Sequence, residues 1–185
     1  MKNLFKHWRN IVKHRRLVLK YCTKCGLFFR GLVHDLSKYS PAEFFEGVKY
    51  YSSKSSSTSN CRKENGYSLG WLHHKAKNKH HLEYWYDNKN EEQMIIPYKY
   101  LVEHICDRIA KCKAYNEDKF SYTKTLDYFI ANRHNLQANE KVLDFIEKIL
   151  SDLTMKYEHT VLNKNYLKYT YDSIMFEQDS DNIQN

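Results

Sequence analysis

Residues 3–25 repeat an inward set at steps of three and four: His7, Ile11, His14, Val18, Tyr21 and Cys25. Leu4, Trp8, Val12 and Leu19 widen the stripe, while Arg9, Lys13, Arg16 and Lys20 lie mostly opposite. Over more than six turns that period fits an amphipathic helix and no strand. Gly26 follows as the expected C-terminal stop. With only five Gly and two Pro in 185 residues, the chain has few places to turn sharply, and an all-α bundle is the expected class. The length suits one domain with a substantial core.

Further helices are expected at 27–38, from Pro41 through Tyr51, at 67–76, from Pro97 to about Ala114, at 122–132 and at 139–158. Ser40-Pro41-Ala42-Glu43 reads as a capping box, with Ser at the cap, Pro at the first helical position and Glu three residues after the cap. Residues 52–60, with six Ser among them, read as a flexible surface loop. Residues 1–160 are the expected folded domain. Beyond them, 161–185 reads as a polar, acidic tail (Asp172, Glu177, Asp179, Asp181).

Charge is unevenly placed. Nine of the 30 basic side chains fall within residues 1–30, where no Asp or Glu occurs; the other 155 residues hold 21 basic and 22 acidic groups. The whole basic excess therefore belongs to the first element, which can attract a phosphorylated substrate, nucleic acid or an anionic membrane surface. An odd set of five Cys (Cys22, Cys25, Cys61, Cys106, Cys112), with one Cys-x-x-Cys at the end of a helical pattern, points to reduced thiols and a cytoplasmic protein. No apolar run approaches the length of a membrane span.

The chemistry-bearing stretch is Gly31-Leu-Val-His34-Asp35-Leu-Ser37-Lys38-Tyr39. Adjacent His and Asp offer a nitrogen and a hard oxygen that one backbone turn can aim at a single divalent ion. Lys38 adds a mobile cation for an anionic group. Read alone, the pair is an ordinary polar helix end. The other histidines change that reading, because four of the ten (His73, His74, His80, His81) fall between residues 73 and 81. Taken in order, His14, His34-Asp35, His74, His80-His81 and Asp107 come from separate predicted helices, as ligands inside a helical bundle do. His73 rivals His74, since both have core-facing neighbours.

This order resembles the metal-dependent HD superfamily, particularly its two-metal branch of phosphodiesterases and mixed-valent di-iron oxygenases. His34-Asp35-Leu36-Ser37-Lys38 is similar to the His-Asp-x-Gly-Lys signature, with Ser in place of Gly. Together with His74-x3-Asn78-x-His80-His81-x-Glu83 and Glu103-x3-Asp107, it looks like a small family of bacterial and phage proteins, over roughly residues 7–115. The resemblance implies a single HD-type helical domain. It makes His14, His34, Asp35 and Asp107 ligands of one metal, and His74, His80 and His81 ligands of a second that Asp35 bridges. Lys38 would bind a phosphate oxygen, and with Asp35 it is the expected catalytic pair. The Gly-Tyr-Pro element of the cyclic-dinucleotide branch is absent. Glu83, Glu103 and His104 are expected to orient the imidazoles.

Mixed His/carboxylate shells without thiolate suit Fe or Mn, with Zn, Mg, Ni and Co as alternatives. One or two such ions can activate water against a nucleotide or another small phosphoester. The same cage could instead activate dioxygen on two irons. Two further classes use other features: a nucleic-acid-binding module would use basic residues 1–30 with Trp8 and Tyr21, and in a non-catalytic bundle the histidines would simply pair with acids.

Overall fold

The computed structural model describes residues 2–53, 55–90 and 93–176. It is all-α, with no strand among the described residues. Helix α1 spans Lys2–Lys24 and buries Ile11, His14, Val18 and Tyr21 of the expected stripe, with Cys22 beside them. Leu4 and Trp8, near the start of α1 where fewer elements cover it, are exposed. Gly26 ends it at φ 74, the left-handed conformation that glycine adopts at little cost. Helix α2, Phe28–Val33, folds back on α1, and Gly31 makes the close approach. A β-carbon there would lie 2.8 Å from Cys22 Cβ and 2.9 Å from Leu19 Cα.

The expected helix over 27–38 is interrupted. It stops at Val33, His34 is extended, Asp35 is left-handed (φ 54, ψ 28), and a 3-10 turn follows at Leu36–Tyr39. Helix α3 is Pro41–Lys49, α4 is Ser57–Asn65, α5 is Leu69–Lys77 and α6 is Tyr98–Asn116. Then come α7 (Tyr122–Asn132), α8 (Glu140–Met155), α9 (Glu158–Val161) and α10 (Lys164–Phe176).

Helix α6 is the axis. Leu101 through Asp107, with Ile109 and Ala110, are all buried, as in a helix covered on every side. Its apolar residues meet Val18, Tyr21 and Cys25 of α1, Phe145, Ile146 and Ile149 of α8, and Leu167, Tyr171 and Met175 of α10 in one core. Its remaining buried positions, Glu103, His104 and Asp107, are polar and belong to the site.

Two boundary expectations are corrected. The serine-rich stretch is not a loop throughout: Ser56 accepts a hydrogen bond from Ser59 N and caps α4, which begins at Ser57. Cys61 anchors that helix and Gly66, at φ 79, ends it. Nor is the segment after residue 160 only a tail, because α10 seats Leu167, Tyr171 and Met175 in the core. Its stripe was obscured by the many polar residues between those three. Glu177, Asp179 and Asp181 lie outside the described residues.

Candidate metal centre

The interruption after α2 is what builds the site. A continuing helix would carry His34 and Asp35 to positions about 100° apart on its surface. The extended and left-handed pair instead turns both side chains inward, each 1% exposed. Asp35 is the one non-glycine residue at positive φ among the described residues, and Asp tolerates that region better than most side chains. Arg15 of α1 secures the turn. Its Nε donates to His34 O and its Nη2 to Leu32 O, both at 2.8 Å, satisfying carbonyls at the end of α2.

Around Asp35 the ligand atoms fall into two groups. On one side, His14 Nε2 is 3.0 Å from Asp107 Oδ1 and 3.7 Å from Asp35 Oδ2. His34 Nε2 is 3.3 Å from Asp35 Oδ2, 3.6 Å from Asp107 Oδ1 and 3.4 Å from His14 Nε2. On the other side, Asp35 Oδ1 faces His74 Nε2 at 3.4 Å and His80 Nε2 at 3.5 Å. His81 completes this second group, whose ligand atoms all lie within 4.8 Å of one another, as do those of the first group. All seven side chains are buried. Each group can hold a metal ion, and Asp35 belongs to both.

The imidazoles are oriented from behind. Glu103 Oε1 accepts from His34 Nδ1 at 3.0 Å and sits 3.4 Å from His80 Nδ1. Its other oxygen accepts from Arg30 Nε at 2.9 Å. Glu43 Oε2 accepts from His74 Nδ1 at 2.7 Å, and its Oε1 does the same for His73. His104 Nδ1 donates to the carbonyl of His80 at 2.9 Å. Asn78 Nδ2 donates to His74 O and to Ser37 Oγ, each at 2.7 Å, tying the end of α5 to the His-Asp segment. With the Nδ1 protons of His34, His74 and His80 directed at carboxylates, Nε2 of each faces the centre.

Electrostatics fit cation binding. Burial opposes charge on Asp35, but His34, Lys38 and His74 outweigh it and hold the carboxyl well below its usual range. Asp107 is likewise depressed, with Lys111, His14 and His34 overcoming burial. Burial lowers His80, drives His81 well down and takes His14 to about 4, leaving them as neutral nitrogen donors. His34 is raised: burial disfavours its charge, but Asp35, Asp107 and Glu103 prevail. Asp35 Oδ1 and Oδ2, Asp107 Oδ1, His80 Nε2 and His81 Nε2 are buried without a hydrogen-bond partner. Lys38 offers Oδ2 of Asp35 one compensating charge, but Oδ1 has only imidazole nitrogens facing it and no hydrogen-bond partner. A buried carboxylate oxygen so placed is costly unless a cation compensates it. The donor set and these unpaired atoms therefore fit a metal ion.

Two lysines edge the cluster. Lys38 Nζ lies 2.6 Å from Asp35 Oδ2 as a charge contact, and Lys111 Nζ donates to Asp107 Oδ2 at 2.6 Å. Their side chains are 26% and 43% exposed, so both reach solvent as well as the buried carboxylates. Trp71 walls the second group, with its ring 5.0 Å from that of His81.

The expected ligands His14, His34, Asp35, His74, His80, His81 and Asp107 converge, and His74 takes precedence over His73, which turns to Glu43 with a third of its side chain exposed. Glu103 and His104 hold imidazole-bearing residues as expected. Glu83 does not: it is exposed, and among the described residues no hydrogen bond joins it to a histidine of the cluster. The orienting carboxylate on that side is Glu43, which the capping-box pattern had assigned to the helix start. Ser40 makes no capping hydrogen bond, and Glu43 faces the histidines. Arg15 and Arg30 were also missed. Arg15 falls off the basic stripe of α1, and Arg30 is the lone charge in Phe-Phe-Arg-Gly-Leu-Val.

A helical domain with a buried cluster of His and Asp able to hold metal is thus the class that fold and site define. The chain belongs to a family described as a family of unknown function (DUF5662), whose model matches residues 3–152. No curated protein and no solved structure gives a significant match.

Proposed function

We propose that this chain is a metal-dependent phosphohydrolase resembling the HD type, acting on a nucleotide or another small phosphoester. His14, His34, Asp35 and Asp107 would hold one divalent ion, and Asp35, His74, His80 and His81 a second. The observation that carries the reading is Asp35 itself, whose two buried oxygens face different ligand groups, with Oδ1 left without a hydrogen-bond partner. Mixed imidazole and carboxylate donors without thiolate favour Fe or Mn. When bound, such ions supply Lewis acidity toward a phosphoryl oxygen and lower the pKa of water.

The chain's own groups do the rest. Glu103 and Glu43 keep the Nδ1 protons of His34, His80 and His74 away from the centre. Lys38 and Lys111, at the solvent edge, would bind the anionic oxygens of the substrate. Trp71 packs its ring against those of His74 and His81, at centroid distances of 5.8 and 5.0 Å. Three imidazoles in the second group also suit redox-active iron, which supports a di-iron oxygenase as the second reading.

The test is phosphate release from a panel of nucleotides and simple phosphoesters by Mn(II)-loaded protein under argon. Turnover is expected there and should fall by about 100-fold or more in Lys38→Ala at unchanged metal content. Silence across the panel, with oxygen uptake by the Fe(II) form, would establish the second reading instead.

A further inference from the structure

We infer that α1 and α2 together form a docking face for the surface of an anionic lipid bilayer. Six of the nine basic residues in the first thirty, Lys2, Lys6, Arg9, Lys13, Arg16 and Lys20, follow one another at steps of four and three. At the helical repeat these steps confine them to an arc of about 80°, along a stripe about 27 Å long. All six are exposed, on the side of α1 opposite Ile11, His14 and Val18. Of the other three basic residues, Arg15 binds the end of α2, Lys24 pairs with Glu158, and Arg30 pairs with Glu103. No acidic residue precedes Asp35, so the stripe has none along its own helix.

Beside this stripe lies uncovered apolar surface. Phe5 is 63% and Trp8 47% exposed on α1. Helix α2 and the turn after it present Phe28, Phe29, Leu32, Val33 and Leu36, with Phe29 78% exposed. Gly31 brings α2 into close contact with Leu19 and Cys22 of α1. Arg16 and Leu32 line one groove between the two helices, which makes the charged and apolar surfaces continuous. Large side chains in water beside a row of cations are the composition of an interfacial helix: apolar groups enter the headgroup boundary while cations meet anionic lipid. Nucleic acid would engage the cations through its phosphates but leave Phe29 and Phe5 in water. No helix among the described residues is long and apolar enough to cross a bilayer, so the contact would be peripheral.

The experiment is vesicle sedimentation of the full chain with phosphatidylcholine alone or with about one-third phosphatidylserine, at roughly 0.1 M and 0.5 M salt. Binding is expected only to the phosphatidylserine vesicles, with release at the higher salt. Lys6→Glu/Arg9→Glu/Arg16→Glu/Lys20→Glu should weaken binding by more than about 100-fold. Phe5→Ser/Phe29→Ser, at unchanged charge, should weaken it by about tenfold. Both variants should keep the wild-type circular dichroism and metal content; the vesicle comparison on unaltered protein stands independently of them. Equal behaviour on the two vesicle types would overturn the inference. So would tighter binding to duplex nucleic acid that the serine variant leaves intact, or a dimer that buries Phe29 and dissociates in that variant.

Discussion

At the scale of single residues, the site depends on Asp35 more than on any other group. Among the described residues it alone belongs to both ligand groups, and it does so from a left-handed backbone that few side chains accept. Asn tolerates that conformation nearly as well as Asp but carries no charge. Asp35→Asn should therefore fold normally by circular dichroism while bound metal falls to below about one-tenth of wild type. Glu43 is the second informative position. Glu43→Ala should weaken metal binding by about 10–100-fold through loss of His74 orientation. Glu83→Ala, exposed and outside the cluster, should leave the titration unchanged. The ligands themselves were legible because four of the ten histidines crowd into residues 73–81, and their order with His14, His34-Asp35 and Asp107 resembles the HD superfamily. The groups behind them were not. Glu43 satisfies a helix-start pattern just as well, and only the fold shows that its carboxylate turns to His73 and His74.

At the scale of elements, the periodic stripes of α1, α6 and α8 could be read directly, since each buries several large side chains at helical spacing. What could not be read was the break between Val33 and Leu36. Local propensity carries the helix onward, and the packing of α1 against α2 overrides it. Gly31 makes that packing close enough for Arg15 to reach His34 O. Gly31→Ala must push the helices apart and should cost about 1–3 kcal/mol in urea unfolding, with metal affinity falling in parallel as His34 shifts. Unchanged stability would mean that α2 does not sit on α1 as described. The interval 52–60 failed for a different reason: serine is both a linker residue and a helix cap, and composition alone does not separate the two roles.

At the scale of the whole molecule, α6 divides an apolar core from a polar one. The C-terminal helices pack against its far side, and a buried acid joins them. Asp152 of α8 accepts from Lys148 Nζ at 2.7 Å, lies 2.9 Å from Lys156 Nζ and accepts from the Tyr166 hydroxyl of α10. Burial would raise its pKa, but these hydrogen bonds hold it below the ordinary 3.8. A depressed carboxylate stabilises the fold above its unfolded pKa, and that contribution is lost as pH falls through the folded value. Asp152→Asn should thus cost about 2 kcal/mol at neutral pH, and the gap to wild type should narrow below about pH 4. The most direct test of the central claim, that Asp35 joins two ion sites inside one helical domain, is elemental analysis of the purified chain. Two equivalents of a first-row divalent metal per chain are expected, with essentially none retained in Asp35→Asn. Metal-free protein that stays metal-free after incubation with Fe(II) or Mn(II) would contradict it.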